Sequence, residues 1–470
     1  MIIQPNHRRK PEFNERYYIC RTTEKYSTNF SIIVQYNRRV NHNLLSNALY
    51  SLIRKNSWFV QNFFQVDQRN PATTNGHNFE VRVLEQVKFY DVVKFHKIDT
   101  FDETVMESLN DHIFSMNNAN LPLWRINVFE ERRPNGDQFV SVSFDHSNYD
   151  GLSGVQFQKD LARELSIAKD DSFYDVLFDY QHDFENLPAT ILPAVDNLTD
   201  LFDLSMLSIS NSILKKCVPF YNTICDYIWP SDPSVFYTDK QVTKNLQTKY
   251  KFLKLTSNQV GQISRYCRPR GLTITTYFDI ICVCALQETV FSVVKSPATH
   301  TSSLVAINGR RYYSEEIKNF LYGSLVCGAP IILPTIENKL ESMQMFHKQM
   351  TNDINTKKSF KSTGNLIKHD NVWEFFQNKI GKIGGRFTLT ISNLGKISNS
   401  NGTFKFEQLY FISNTGVVYN FVLNITTLPN GELTAVVAYI PEFENYELND
   451  KPIMDTFMEK FYDLLILTSS

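Results

Sequence analysis

The chain lacks an excess of either charge. Its 48 lysines and arginines are balanced by 49 aspartates and glutamates, so the net charge at pH 7 is −1. A protein without a basic excess does not attract nucleic acid or an anionic membrane over long range, and we expect no nucleic-acid partner. The 42% hydrophobic content is ordinary for a globular protein, and 470 residues are enough for two or three domains.

Cysteine is scarce as well. The seven cysteines form neither a C-x-x-C pair nor a cluster with histidine. An odd and scattered set argues against a disulfide framework and against a zinc site. We therefore expect a reducing compartment and no metal.

The first thirty residues contain no long apolar run and carry charges such as Arg8, Arg9 and Lys10. This pattern fits neither a signal peptide nor a membrane span, so we expect a cytoplasmic protein. The run 201–228 is more apolar. It favours a helix packed on the body of the protein, and the alternative is a membrane-surface or substrate-entrance helix that would make the protein peripheral on the endoplasmic reticulum.

Several widespread catalytic signatures are also missing. The chain has no G-x-S-x-G of serine hydrolases, no H-E-x-x-H of zinc peptidases and no glycine-rich phosphate loop. These absences argue against hydrolysis by a serine nucleophile or a metal, and against nucleotide-phosphate chemistry.

The most informative feature present is the run 144–151, Phe-Asp-His-Ser-Asn-Tyr-Asp-Gly, which contains the pattern H-x-x-x-D-G. Before it, Val140, Val142 and Phe144 alternate with polar residues, which predicts a half-buried strand. After it, apolar residues recur at helical spacing. His146 is thus predicted at the carboxyl end of a strand, where catalytic groups often lie.

The residue types of this run suit acyl transfer. A neutral imidazole can take a proton from a hydroxyl or amine as it attacks an activated acyl carbon, which makes His146 a candidate general base. Asp150 suits a structural role, because a short acid at a turn can bond the local backbone or pair with a buried arginine. Gly151 allows backbone geometry that other residues resist.

A second candidate site lies in the run 386–396, Arg-Phe-Thr-Leu-Thr-Ile-Ser-Asn-Leu-Gly-Lys. Its alternation predicts a strand that ends at Ser392 and Asn393, just before Gly395. A hydroxyl or amide on a rigid strand could donate a hydrogen bond to the oxyanion of a tetrahedral intermediate. Polar residues that merely end a strand are the alternative.

The chain predicts an α/β protein in two similar halves. We expect an N-terminal lobe at 1–187, a crossover at 188–235 and a C-terminal lobe at 236–470, with a cleft between the lobes. Asn430-Gly431 predicts a hairpin turn, and residues 453–467 predict a terminal amphipathic helix.

Together the two sites resemble the HxxxD acyltransferase superfamily, which includes chloramphenicol acetyltransferase, the plant BAHD enzymes and condensation domains. The best match is the fungal alcohol acetyltransferase branch, and the resemblance covers most of the chain. Its motifs are Arg16-Tyr-Tyr18, Leu123-Trp-Arg125, His146 to Gly151, Leu272-Thr-Ile-Thr275, Asn308-Gly-Arg310, Tyr322-Gly323, and Gly384-Gly385 through to Ser392-Asn-Leu-Gly395.

The resemblance implies two α/β lobes related to chloramphenicol acetyltransferase, each a mixed β-sheet packed by helices, with a channel between them. Acetyl-CoA and the acceptor would enter that channel from opposite faces. His146 would be the general base, and Asp150 would hold the motif and pair with an arginine of the second lobe, for which Arg310 is the candidate. The plant D-F-G-W-G signature is absent, and the chain is somewhat shorter than the better-known fungal ester-forming enzymes. The alternative within the superfamily is therefore a resemblance to the fungal N-acetyltransferases that inactivate sphingosine-like drugs.

The leading hypothesis is acetyl transfer from acetyl-CoA to the hydroxyl or amine of an apolar acceptor, without a covalent enzyme intermediate. The alternative is a non-catalytic, condensation-like module that binds a lipid or a carrier protein. Retention of both His146 and Asp150 favours the enzyme. We expect a monomer.

Overall fold

The computed structural model describes residues 3–54, 56–188, 191–203, 236, 240–294, 298–315, 317–369, 371–384 and 386–469. These residues form both strands and helices in each half of the chain. The strands are β1 Arg8–Arg9, β2 Phe30–Tyr36, β3 Gln61–Gln65, β4 Phe79–Val83, β5 Gln86–Lys88, β6 Val93–Ile98, β7 Trp124–Glu131, β8 Gln138–Phe144, β9 Val176–Asp179, β10 Lys249–Leu255, β11 His300–Asn308, β12 Val326–Pro334, β13 Phe387–Lys396, β14 Phe406–Ser413, β15 Tyr419–Thr427, β16 Leu433–Tyr439, β17 Glu447–Leu448 and β18 Lys451–Pro452.

The helices pack on these strands. The α-helices are α1 Phe13–Thr23, α2 His42–Ile53, α3 Pro71–Thr74, α4 Phe89–Val92, α5 Glu103–Asn110, α6 Gly151–Ile167, α7 Tyr180–Asp183, α8 Ser257–Cys267, α9 Ile274–Glu288, α10 Val290–Val293, α11 Lys339–Thr356, α12 Lys358–His369, α13 Val372–Gln377 and α14 Ile453–Leu467. Short 3₁₀ helices lie at Pro5–His7, Ser57–Val60, Phe184–Asn186, Val195–Leu198, Arg268–Arg270, Gly309–Tyr312 and Pro441–Asn445.

Two mixed sheets form the centres of the two lobes. The first has the order β14-β2-β8-β7-β6, in which only β6 and β7 are parallel. The second has the order β10-β16-β15-β13-β11-β12, in which β13 runs parallel to both β11 and β15. The predicted α/β class and the mixed sheets packed by helices are confirmed.

The strand that leads to His146 is buried on both faces, so the prediction of a half-buried strand is wrong. One face of the first sheet carries Phe144 and packs against α6. The contact is close, because a Cβ added at Gly154 of α6 would lie 3.1 Å from the Phe144 ring. The other face carries Ser143, whose Oγ lies 2.7 Å from Ser31 Oγ on β2. That face continues into a shared core with the second sheet, which includes Ile33 and Val436. The second lobe thus covers the face that carries Ser143, which the polar pattern of β8 predicted to be exposed to solvent.

One strand crosses between the halves of the chain. β14 belongs to the C-terminal half but pairs antiparallel with β2 of the first sheet, from Tyr36 to Phe30. The two lobes are therefore joined by backbone hydrogen bonds as well as by side chains. The predicted boundaries at 187 and 236 stay a prediction, and the apolar run 201–228 lies outside the described residues from 204 onward.

Several local predictions agree with the structure. Asn430 and Gly431 lie in the turn between β15 and β16, and Gly431 has a φ of +94°, which favours glycine. The terminal helix runs from Ile453 to Leu467 as expected. One described stretch, Ile274–Val293, is long and apolar enough to cross a membrane, and 72% of its most apolar window is buried inside the protein. Burial in the second lobe accounts for its composition.

Candidate functional site

His146 lies two residues after the end of β8, in the turn that leads into α6. Its ring stacks on Tyr18 at 4.6 Å between ring centres and contacts the ring of Phe30 at 4.7 Å. Nδ1 is buried and has no hydrogen-bond partner among the described residues. Nε2 is therefore the ring nitrogen that can reach a substrate, and the two aromatic rings hold its orientation.

The surroundings of His146 keep its imidazole neutral. Burial first and the positive charge of Arg21 second lower its pKa from 6.5 to about 4, although the carboxylate of Asp150 opposes them. Desolvation disfavours the charged form of a buried histidine, and a nearby cation does the same. At neutral pH the ring can accept a proton.

Asp150 is the N-cap of α6 and makes four hydrogen bonds. Oδ1 accepts from the backbone N–H and the hydroxyl of Ser153, both at 2.9 Å. Oδ2 accepts from Arg310 Nη1 at 2.6 Å and from the backbone N–H of Leu325 at 3.0 Å. Burial raises the pKa of Asp150, but the charge and hydrogen bonds of Arg310 outweigh this and lower it below its ordinary value. The carboxylate is charged, and both of its oxygens bond to groups other than the imidazole.

Arg310 completes this contact between the lobes. Its Nη2 donates to the Ser153 hydroxyl at 3.0 Å and to the Gly323 carbonyl at 2.7 Å. The Ser153 Oγ also lies 2.7 Å from that carbonyl, which competes with Asp150 for its single proton, and Tyr149 forms a parallel bridge with Gly323. The structure thus brings together Asp150 and Arg310, which the sequence pairs, and it gives Gly323 a role as an acceptor.

Gly151 is needed for space rather than for backbone freedom. It is the first residue of α6, and its φ is not in the left-handed region. A Cβ there would come within 2.9 Å of Leu394 and 3.2 Å of Phe411, both from the second half of the chain. The sequence-based reason for this glycine is therefore corrected to a close approach of the lobes beside His146.

A cavity of about 120 Å³ surrounds His146 and is lined by both lobes. β13 contributes Thr390 and Ser392, which lie two residues apart and so share one face of the strand. The Thr390 hydroxyl is buried without a partner, and among the described residues none bonds to the Ser392 hydroxyl. Two free hydroxyl donors therefore share the cavity with His146.

Asn393 is not brought to this cavity. Its amide nitrogen donates to Thr275 Oγ1 at 3.1 Å, and its Oδ1 accepts from the backbone N–H of Gly395 at 2.8 Å. Gly395 has a φ of +73° and lies in an irregular part of β13, where the register with β15 shifts. Asn393 and Gly395 thus shape the end of the strand, and both line a different cavity.

That second cavity, of about 450 Å³, opens at the carboxyl ends of β13 and β15 and carries positive charge. Its basic side chains are Arg265 and Arg268, at the end of α8, and Lys396, at the end of β13. No carboxylate of the described ranges forms an ion pair with these three side chains. We call it the basic cavity.

A third cavity, of about 400 Å³, lies at the opposite end of β13. It shares Leu304, Gly328 and Tyr419 with the cavity around His146. Its other lining residues include Tyr17, Pro330, Phe375, Phe376, Phe387 and Val418, together with Asp353, Lys358 and Lys379. We call it the aromatic cavity. β13 therefore passes all three cavities in order, from Phe387 through Ser392 to Lys396.

Sequence reasoning missed the contribution of α1. The segment Arg16-Tyr-Tyr18 carries part of the resemblance, yet no helix was predicted there. α1 supplies Tyr18, which stacks on His146, and Arg21, which lines the same cavity. Polar and charged residues at most positions of α1 hide its helical period, because nearly all of them are buried. Among the described residues, no group of three or more His, Cys, Asp or Glu side chains lies together to hold a metal ion.

The sequence is similar to that of known proteins. The family model for alcohol acetyltransferases matches residues 13–464. The chain is 23% identical to alcohol O-acetyltransferase 2 of Saccharomyces cerevisiae over 379 residues, which cover 70% of this chain and 69% of that protein.

Solved structures are similar at lower identity. The trichothecene 15-O-acetyltransferase of Fusarium sporotrichioides has a TM-score of 0.64 at 12% identity, covering 98% of this chain and 95% of that chain. A condensation domain of the monacolin K polyketide synthase has a TM-score of 0.61 at 13% identity, covering 98% and 97%. The predicted two-lobed fold is confirmed by these likenesses.

The contact between Asp150 and Arg310 predicts a loss of stability when one partner is neutralised. Asp150→Asn leaves the Arg310 cation buried without its counter-charge, and we expect the free energy of unfolding to fall by about 3–5 kcal/mol. Denaturant midpoints of Asp150→Asn, Arg310→Gln and the double variant measure this. The double variant should lose less than the sum of the two single changes, because the second change removes a charge that is already unpaired. An Asp150→Asn protein of unchanged midpoint would contradict the structural role.

Proposed function

Because the chain belongs to the alcohol acetyltransferase family, we propose that it moves an acetyl group from acetyl-CoA to the hydroxyl or amine of an apolar acceptor. The observation that carries the proposal is a neutral, aromatic-clamped His146 in a cavity that also holds two unpartnered hydroxyls. Along β13 this cavity lies between the basic cavity and the aromatic cavity. The basic cavity suits a charged donor, and the aromatic cavity suits an apolar acceptor.

In the proposed reaction His146 Nε2 removes the proton of the acceptor as its oxygen or nitrogen attacks the thioester carbon. The carbonyl oxygen gains negative charge and accepts hydrogen bonds from Ser392 and Thr390. The carbon–sulfur bond then breaks, and His146 returns the proton to the departing thiolate. The acetyl group ends on the acceptor, and free CoA leaves.

Charge favours the basic cavity as the binding site of the donor. CoA carries phosphates at one end and the thioester at the other, and Arg265, Arg268 and Lys396 offer cations for the phosphates. Lys396 lies four residues beyond Ser392 on the same strand, at most about 13 Å away along the backbone. The pantetheine arm would cover that separation. The acceptor would then enter through the aromatic cavity, whose rings suit an apolar chain.

Replacing His146 tests the general base. His146→Ala should lower kcat/KM by about 10²- to 10⁴-fold, the usual contribution of a positioned base. Thiol release from acetyl-CoA measures it, with isoamyl alcohol, a long-chain alcohol, a sterol and a sphingoid-like amino alcohol as acceptors. His347→Ala is the matched control, since His347 is also half-buried but lines none of the three cavities. Full turnover by a folded His146→Ala protein would refute the assignment, and CoA binding without turnover on any acceptor would favour the binding module.

The pH profile tests the state of His146. The general base must be neutral, so kcat/KM falls as pH drops through the pKa of His146 in the free enzyme. Because burial and Arg21 lower that pKa, the acid limb should lie near pH 4 and well below 6.5. Initial rates at low acceptor concentration give the limb, and circular dichroism at each pH checks folding. A limb at pH 6.5 with intact structure would show that the imidazole is not desolvated in solution.

The basic cavity predicts a donor-specific effect. Arg265→Ala and Lys396→Ala should each raise the KM for acetyl-CoA by about tenfold, since each removes a charged hydrogen bond to phosphate, and should affect kcat less. The KM should also rise with salt. Lys451→Ala is the control, because Lys451 is an exposed lysine paired with Glu459 outside the cavity. An unchanged KM in both cavity variants would move the donor to another opening.

A further inference from the structure

Arg21 is a buried cation without a partner for its charge. It lies on α1, is 7% exposed and lines the cavity around His146. Its Nε is buried without a hydrogen-bond partner, and no carboxylate of the described residues lies within ion-pair distance of its guanidinium. The guanidinium carbon lies over the rings of Tyr17 and Tyr18, at 5.8 and 5.4 Å from their centres.

The carboxylate of Asp145 does not satisfy Arg21. Asp145 contributes attraction at longer range, but its oxygens are already bonded elsewhere. Oδ1 accepts from the backbone N–H of Ser147 at 2.8 Å and from its hydroxyl, and Oδ2 accepts from Thr22 Oγ1 at 2.7 Å. Burying a charged guanidinium without a counter-charge is costly, so an unpaired cation that lines a cavity points to a ligand that supplies the missing partner.

We propose that Arg21 binds a carboxylate of the acceptor, so that the acceptor is an amphipathic hydroxy acid or amino acid with an apolar tail. This inference rests on the proposed function and names its acceptor class. A guanidinium presents two parallel N–H donors that match the two oxygens of a carboxylate, and the pair is strongest where water is excluded. Arg21 meets both conditions.

The position of Arg21 limits where the carboxylate lies on the acceptor. Tyr18 contacts both groups, because its ring stacks on His146 and its ring centre lies 5.4 Å from the Arg21 guanidinium carbon. The reacting hydroxyl or amine and the carboxylate must therefore be a few bonds apart. The rest of the acceptor can continue past Leu304 and Gly328 into the aromatic cavity. A 2- or 3-substituted fatty acid has this layout.

The experiment compares two acceptors that differ only in charge, 3-hydroxydodecanoate and its methyl ester. The measured quantity is the ratio of kcat/KM for the acid to that for the ester, by thiol release from acetyl-CoA at pH 7.5. We expect the wild-type protein to favour the acid. Arg21→Met should lower the ratio by roughly 10- to 100-fold, which corresponds to the loss of a charged hydrogen bond, and Arg21→Lys should lie between. The same comparison with 2-aminododecanoate and its methyl ester covers the amine acceptor.

Arg16→Met is the matched control. Arg16 lies on the same helix and is also 7% exposed, but it donates to the Asn75 carbonyl at 2.9 Å and lines none of the cavities. Its ratio should equal that of the wild type. A wild-type preference for the esters, or an Arg21→Met variant whose ratio is unchanged, would overturn the proposal and leave Arg21 as a structural cation.

A separate measurement distinguishes failure of this inference from failure of the proposed function. Calorimetric binding of 3-hydroxydodecanoate, without acetyl-CoA, needs no turnover. Binding that weakens at least tenfold in Arg21→Met, but not in Arg16→Met, supports the carboxylate site even if no acetyl transfer occurs. Equal binding by wild type and Arg21→Met refutes the site even if neutral alcohols are acetylated.

Discussion

The ion pair between Asp150 and Arg310 is the contact on which the rest of the site depends. It lies in the closed interface between the lobes, where removing two charges from water costs several kcal/mol per ion. The cost is offset because the carboxylate accepts four hydrogen bonds and Nη1 and Nη2 are both engaged. One oxygen of Asp150 starts α6 and the other holds Arg310 and the Leu325 amide. The turn that carries His146 is therefore fixed by the same carboxylate that joins the lobes.

Within the six-residue turn, Asp150 has a structural role and His146 has the chemical role. Since both oxygens of Asp150 are committed, the carboxylate is not free to orient the His146 ring, whose Nδ1 has no partner among the described residues. The ring is held instead by Tyr18 and Phe30. Its protonation state is set first by burial and then by Arg21, from a helix far away in sequence. The two motif residues therefore need different explanations although they are four positions apart.

Sequence reasoning could predict what depends on local pattern. The strand before His146, the helix after it, the Asn430-Gly431 turn and the terminal helix follow from periodicity and turn chemistry. The pairing of Asp150 with Arg310 followed only from the family resemblance, since the two are 160 positions apart.

Features of the first lobe that depend on contacts with the second lobe could not be predicted. The serine face of β8 is polar by pattern but is buried against the second sheet, and β14 crosses to the first sheet. α1 was missed because its polar residues are buried by the rest of the protein. Asn393 was grouped with Ser392 because they are adjacent, although successive residues of a strand face opposite ways.

The course of β13 explains how two unlike substrates can meet at one histidine. From Phe387 to Lys396 the strand extends about 30 Å, roughly the thickness of a small domain. Its start borders the aromatic cavity, its middle places two hydroxyls beside His146, and its end borders the basic cavity. The positive φ at Gly395 and the shifted register turn the last residues away from the straight path of the strand. Because this irregular end lies after Ser392, it can shape the basic cavity without disturbing the hydroxyls, and the regular part of the strand keeps those donors rigid. A single strand thus sets the distance between the charged end of one substrate and the apolar end of the other, with the reacting atoms fixed between them.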